Sequence, residues 1–134
     1  MSKTKIPIDV QNKVQIIITD FNKKTFPKTP EFFYFATFKG DCLYLNRQEG
    51  DKDSPIARLE YNGNFTNWSF AIFKWSSERY DPDEFMFPGV QFANGTIEGA
   101  LKAGQAAYPP AWAPSEKELL SFFGQILSNK KTKL

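Results

Sequence analysis

Residues 54–80, SPIARLEYNGNFTNWSFAIFKWSSERY, decide the fold. Two apolar, aromatic runs flank a turn rich in Asn and Gly (Asn62, Gly63, Asn64), the strongest short-range signal for a β-hairpin. The spacing predicts one strand over 56–61 and a return strand from Trp68 to about Ser77. Side chains alternate along a strand, so Ala57, Leu59 and Tyr61 share one face and Ile56, Arg58 and Glu60 the other. On the return, Trp68, Phe70 and Ile72 oppose Ser69, Ala71, Phe73 and Trp75. Large rings on both faces are more than a one-sided sheet requires.

On the N-terminal side, 32–38 and 42–47 form a second pair of short apolar runs, joined by Lys39-Gly40-Asp41. Gly40 supplies a positive φ, so these runs read as another hairpin. Residues 48–54 (QEGDKDS) read as a polar loop between the two hairpins. Further out, Val10, Val14, Ile17, Ile18 and Phe21 follow one face of a 3.6-residue period. A helix over about 8–24 is predicted, entered through Pro7 and barred from continuing by Pro27.

On the C-terminal side, residues 81–84 (DPDE) read as a turn and 85–92 as an irregular apolar connection. Thr96 is a predicted N-cap. The helix after it carries Ile97, Ala100, Leu101, Gly104, Ala107 and Tyr108 on one face, small enough for close approach to a sheet. The segment 109–114 (PPAWAP) is a stiff link. Ser115 with Glu118 makes a capping box for a last amphipathic helix bearing Leu119, Leu120, Phe123, Ile126 and Leu127. The element order α-β-β-β-β-α-α predicts an α+β domain: a four-stranded antiparallel sheet from two consecutive hairpins, an N-terminal helix and two C-terminal helices.

At 134 residues the chain is expected to be a single domain over 1–134, with disordered ends at 1–5 and 129–134. A formal net charge of +2 argues against an obligate polyanion binder. The densest basic run, Lys130, Lys131 and Lys133, reads as a solvated end. Cys42 is the only cysteine, so no disulfide forms within the chain. The start MSKTKIPIDV has no apolar leader core, and no apolar run approaches a membrane span. A cytoplasmic protein is therefore expected, with no membrane partner.

The chain has no histidine. Ser-His-Asp and Cys-His catalysis, and zinc sites built on His, are absent with it. No Gly-rich phosphate cradle is present, since Gly95, Gly99 and Gly104 lack a preceding strand. Asp81, Asp83 and Glu84, or Glu49, Asp51 and Asp53, could offer oxygens to a hard cation, but neither group has an EF-hand spacing. We expect no metal, no cofactor and no catalytic residue. Cys42 has no activating cation beside it in sequence and reads as a strand thiol. The remaining signal is aromatic and basic interleaving, which gives a candidate binding surface of Arg58, Trp68, Lys74, Trp75, Arg79 and Tyr80.

The hairpin also resembles a bacterial small-domain family of unknown function. Its pattern is a Pro-Val-Ala-Arg-like strand start, a turn, a Trp strand, a Lys-Trp pair and a Tyr. Pro55, Ala57, Arg58, Tyr61, Trp68, Lys74, Trp75 and Tyr80 are the matching positions here. With the leading helix between Pro7 and Pro27, the similarity extends over about 6–101. This chain lacks the histidine often found after the Lys-Trp pair, and its C-terminal third has no counterpart. The resemblance implies a fold type and no activity.

The expected function is a non-enzymatic protein-interaction or regulatory module, whose partner is another protein or a second copy. Single-stranded nucleic-acid binding through an aromatic and basic sheet face is the alternative. A carboxylate-dependent enzyme ranks third.

Overall fold

The computed structural model describes residues 5–84 and 86–109. Its first element is a helix, α1 (Ile8–Thr25), entered through Pro7 in an extended conformation. Val10, Val14 and Ile18 are buried, and Ile17 and Phe21 pack half-buried against the same core. Asp9 in the first turn and Lys23 and Lys24 in the last complement the helix dipole. The helix stops because Pro27 disfavours a helical conformation at Phe26, whose N–H still donates to the Asn22 carbonyl.

Five strands follow: β1 (Phe32–Lys39), β2 (Cys42–Glu49), β3 (Lys52–Glu60), β4 (Ser69–Lys74) and β5 (Arg79–Asp81). They form one antiparallel sheet in the order β1-β2-β3-β4-β5. The fold is thus α+β as expected, but the sheet has five strands rather than four. The return strand of the central hairpin ends at Lys74 instead of running to Ser77. Residues 75–78 turn the chain with Glu78 at φ 51°, so Arg79, Tyr80 and Asp81 pair back onto β4. Asp81 therefore belongs to a strand, and its carboxylate accepts from Asp83 N–H at 2.9 Å to close the turn that follows.

The polar loop expected at 48–54 is also corrected. β2 and β3 continue through it in register, with Glu49 opposite Lys52, Gln48 opposite Asp53 and Arg47 opposite Ser54. Only Gly50 (φ 67°) and Asp51 make the turn. Polarity marked strand ends that lie near solvent, not the absence of strands. A register shift where Leu45 faces Ala57 and Asn46 faces Pro55 leaves Ile56 as the extra residue of a bulge. The bulge accommodates Pro55 within the sheet and sends both Ile56 and Ala57 into the core.

A 3-10 turn (Val90–Phe92) leads to α2 (Ile97–Ala107). Thr96 caps it as predicted, its Oγ1 accepting from Gly99 N–H at 3.0 Å. Gly104 faces Ile56 so closely that a Cβ there would run into the Ile56 side chain. Both helices cover one face of the sheet, around Tyr34, Leu43, Leu45, Ile56, Leu59 and Leu101. The final helix expected after Ser115, and the ends expected to be disordered, fall outside the described residues apart from Lys5.

Polar contacts centred on Asn22 and on Arg47 tie the layers together. Asn22 of α1 reaches β1, where Nδ2 donates to the Tyr34 carbonyl at 2.9 Å and Oδ1 accepts from Tyr34 N–H at 2.8 Å. Arg47 of β2 is buried. It donates to Tyr34 Oη at 3.2 Å and to the Tyr108 carbonyl, and pairs with Glu49 at 3.1 Å. Tyr34 Oη in turn donates to Gln105 Oε1 at 3.3 Å, linking β1 and β2 to α2.

Candidate functional site

The face of the sheet turned away from α1 and α2 carries the candidate site. Strand alternation and register place Phe33, Phe35 and Thr37 of β1 there, with Cys42, Tyr44 and Asn46 of β2. Arg58 and Glu60 of β3, Ala71 and Phe73 of β4, and Tyr80 of β5 complete it. Their rings meet in a chain. Trp75 abuts Phe73 with centroids 5.0 Å apart, Phe73 meets Tyr80 at 5.2 Å, and Tyr80 meets Tyr44 at 5.5 Å. The Arg58 guanidinium lies 5.7 Å from the Tyr80 ring centre. Ala71, directly opposite Arg58, has no bulk to keep Tyr80 from leaning across towards Tyr44.

The six predicted surface residues do not all gather here. Arg58 and Tyr80 do, and Trp75, 52% exposed in the β4–β5 turn, extends the ring chain. Trp68 does not: it is 3% exposed, packs against Tyr61 with centroids 4.9 Å apart, and its Nε1 donates to the Phe65 carbonyl at 2.7 Å. It precedes β4 and points into the helix-side core, where its large apolar area outweighs any surface role. Lys74 also points to the helix side, bound to Glu84 at 3.1 Å and Asp81 at 3.7 Å. Arg79 sits opposite Lys74, exposed, and on the other face from Tyr80.

Half-buried Tyr44 joins this surface and buried Phe73 underlies it as the ring against which Trp75 and Tyr80 pack, although neither was among the six predicted residues. The available signal was Tyr44 alternating with the buried Leu43 and Leu45. The β4 pattern hid Phe73, because both of its faces are apolar.

Among the described residues, Lys39 and Arg58 are offset by Asp53 and Glu60, placed there by the register, and the Asp41 carboxylate lies beside Cys42 and Glu60 as well, so the face carries no cationic excess. Loss of solvent raises the Tyr80 phenol above its ordinary value, helped by Tyr44 and opposed by Arg58. Burial likewise raises Tyr34, against the pull of Arg47, and raises Tyr108. The phenols keep their protons in the folded chain at a pH where the unfolded chain loses them, near 10.0. Stability is therefore full below that pH and falls above it. Thermal melting followed from neutral pH upward should show a midpoint that drops once pH passes about 10, and Tyr80→Phe should remove part of the drop.

Half of the six acids weighed as cation ligands are engaged in ion pairs. Asp81 and Glu84 hold Lys74, and Glu49 holds Arg47. Among the described residues, Asp41, Cys42 and Glu60 are the one set of donor atoms close enough to share an ion, within 4.8 Å of one another. The Cys42 thiol is pushed up by burial and by Asp41, to whose carboxylate it donates at 3.5 Å. It is a protonated thiol and a poor nucleophile at neutral pH. A groove of about 510 Å³ between α1 and α2, lined by Ile16, Ile17 and Phe21, also carries Asp20, Lys24, Glu98 and Lys102.

The chain matches no family model, no curated protein and no solved structure. The resemblance carried by residues 55–80 stands on those residues alone. Among the described residues, no helix is long and apolar enough to cross a membrane.

Proposed function

We propose that the protein is a non-enzymatic interaction module of the cytoplasm that binds a protein partner on the ring-bearing face of its sheet. The observation that carries this reading is the chain of rings Trp75, Phe73, Tyr80 and Tyr44 with Arg58 beside it. Aromatic residues and arginine are enriched where proteins meet, and charged groups are depleted from the centres of such contacts. Phe33, 37% exposed at the far side of the same face, widens the apolar area on offer.

The balance of charge favours protein over nucleic acid. A single strand needs a cationic track along its phosphates beside the rings that stack its bases. Lys74, the nearest lysine in sequence to this cluster, is committed to Glu84 and Asp81 on the other side. Among the described residues, Arg58 is the one cation that lies against these rings.

The test is the double variant Arg58→Glu/Tyr80→Ser, compared with the native chain for partner capture from extract of the source cells. Tyr80→Ser gives up the ring contacts with Phe73 and Tyr44, so it should cost about 0.5–3 kcal/mol, and a thermal melt establishes that the variant is folded before capture is compared. Capture should weaken about tenfold or more if Arg58 and Tyr80 are central to the contact. Identical capture by both chains would overturn the proposal. A labelled single strand titrated at low and physiological salt should give a flat curve. Saturable, salt-weakened binding lost in the variant would transfer the function to nucleic acid.

A further inference from the structure

Sulfur and oxygen donors from separate parts of the chain meet at one corner of the sheet. The turn between β1 and β2 places Asp41 beside Cys42, the first residue of β2. The register sets Cys42 directly opposite Glu60, the last residue of β3. Residues that face each other across a ladder share a side of the sheet. Backbone bonds hold this corner from two directions: Ile6 N–H donates to the Gly40 carbonyl at 3.2 Å, and Tyr61 N–H to the Asp41 carbonyl at 2.8 Å. One side-chain donor atom from each of Asp41, Cys42 and Glu60 therefore lies within 4.8 Å of the other two.

Asp41 is the residue that calls for a ligand. It is only 7% exposed, and a buried carboxylate is ordinarily paired with a cation or held by strong donors. Among the described residues, no cation pairs with Asp41 and no donor outside the set bonds its side chain. The Cys42 thiol, a weak donor at 3.5 Å, is its one side-chain hydrogen bond there. Lys39, opposite Cys42 on β1, and Arg58 on β3 share this side of the sheet, yet neither forms an ion pair with Asp41 or Glu60.

We propose that Asp41, Cys42 and Glu60 bind a divalent cation of the zinc class through one thiolate and two carboxylates, with water as the fourth ligand. The donor set selects the ion. Zinc is borderline-soft and takes both sulfur and oxygen, whereas Ca²⁺ and Mg²⁺ require about six oxygens or more. Tetrahedral bonds of about 2.0–2.3 Å set ligand atoms roughly 3.5 Å apart. Asp41 and Cys42 already have that separation. Glu60 is exposed at the end of its strand, so its side chain can swing inward to close the set, and the ion enters from its side. Binding exchanges the S–H bond of Cys42 for a metal–sulfur bond and releases the proton to solvent. The ion supplies the counter-charge that Asp41 lacks and clamps the β1–β2 turn to the end of β3. None of this depends on a partner at the rings.

The experiment titrates the full chain, reduced and stripped of metal, with Zn²⁺ by calorimetry and with Cd²⁺ by ultraviolet absorption. Cys42 is the only cysteine, so a cadmium–thiolate charge-transfer band reports this site and no other. A single equivalent should bind and raise that band, and excess Ca²⁺ or Mg²⁺ should leave it in place. Asp41→Asn and Glu60→Gln should each weaken Zn²⁺ binding about tenfold or more. Cys42→Ser should abolish the band. A native chain that takes up no Zn²⁺ would overturn the proposal, as would Zn²⁺ uptake without the Cd²⁺ band. Binding that both carboxylate variants leave unchanged would be an isolated thiol capturing a soft ion, and would overturn it equally. Should Asp41→Asn fail to fold, the exposed Glu60→Gln decides alone.

Discussion

Trp68→Ala should cost about 3–5 kcal/mol of folding stability, the range for deleting a large buried ring. Three losses combine in it. The indole leaves a cavity against Tyr61 and Phe65. The hydrogen bond from Nε1 to the Phe65 carbonyl disappears. The 61–68 turn also loses the side chain that pins it to the core, next to the point where Trp68 N–H donates to the Gly95 carbonyl at 2.8 Å. In a denaturant titration, the midpoint should fall by a large part of its native value, because small domains hold only about 5–15 kcal/mol in total. Trp75→Ala is the control. Its ring is half exposed, so stability should shift by about 1 kcal/mol or less while partner binding suffers. Equal and small losses in the two variants would mean that Trp68 is not a core residue.

Arg47→Ala should be nearly as damaging, at about 3–5 kcal/mol, for an electrostatic reason. Arg47 has a 5% exposed side chain and Glu49 one that is 18% exposed. Taking away the guanidinium strands the Glu49 carboxylate in a poorly hydrated place and leaves Tyr34 Oη and the Tyr108 carbonyl without their donor. Replacing both partners, as Arg47→Met/Glu49→Met, should recover most of the loss, since a buried pair exchanged for apolar groups of similar size is close to neutral. Thermal melts of the single and double variants measure this directly. A single variant as stable as the native chain would show that the ion pair contributes nothing.

Much of the architecture was legible in the residues. The helix over 8–24, the Gly40 turn, the central Asn-Gly turn and the Thr96 cap each rest on local chemistry that tertiary contacts leave intact. What misled was polarity at strand ends. Gln48, Asp51, Lys52 and Asp53 resemble a loop, yet all but the turn residue Asp51 are strand residues whose side chains reach solvent at the sheet's rim. The short β5 was hidden for the same reason, behind Ser76, Ser77 and Glu78. At the site, Arg58 and Tyr80 were identified because basic and aromatic residues alternate there. Trp68 and Lys74 were misplaced because residue type does not reveal which side of a sheet a position faces when both sides are apolar. Asn22 gave no sign of its role, since an asparagine late in a helix reads as a solvated residue until the strand beside it is in place.

The strand order has a kinetic meaning. Every strand pairs with its neighbour in sequence, so each ladder closes a short loop and little chain entropy is lost before contacts compensate it. The hairpins can zip one after another as the chain lengthens. The contact between α1 and α2 joins distant parts of the chain, and it must wait for them. A meander of this kind folds early from local pieces and locks late, when the second helix arrives over the first.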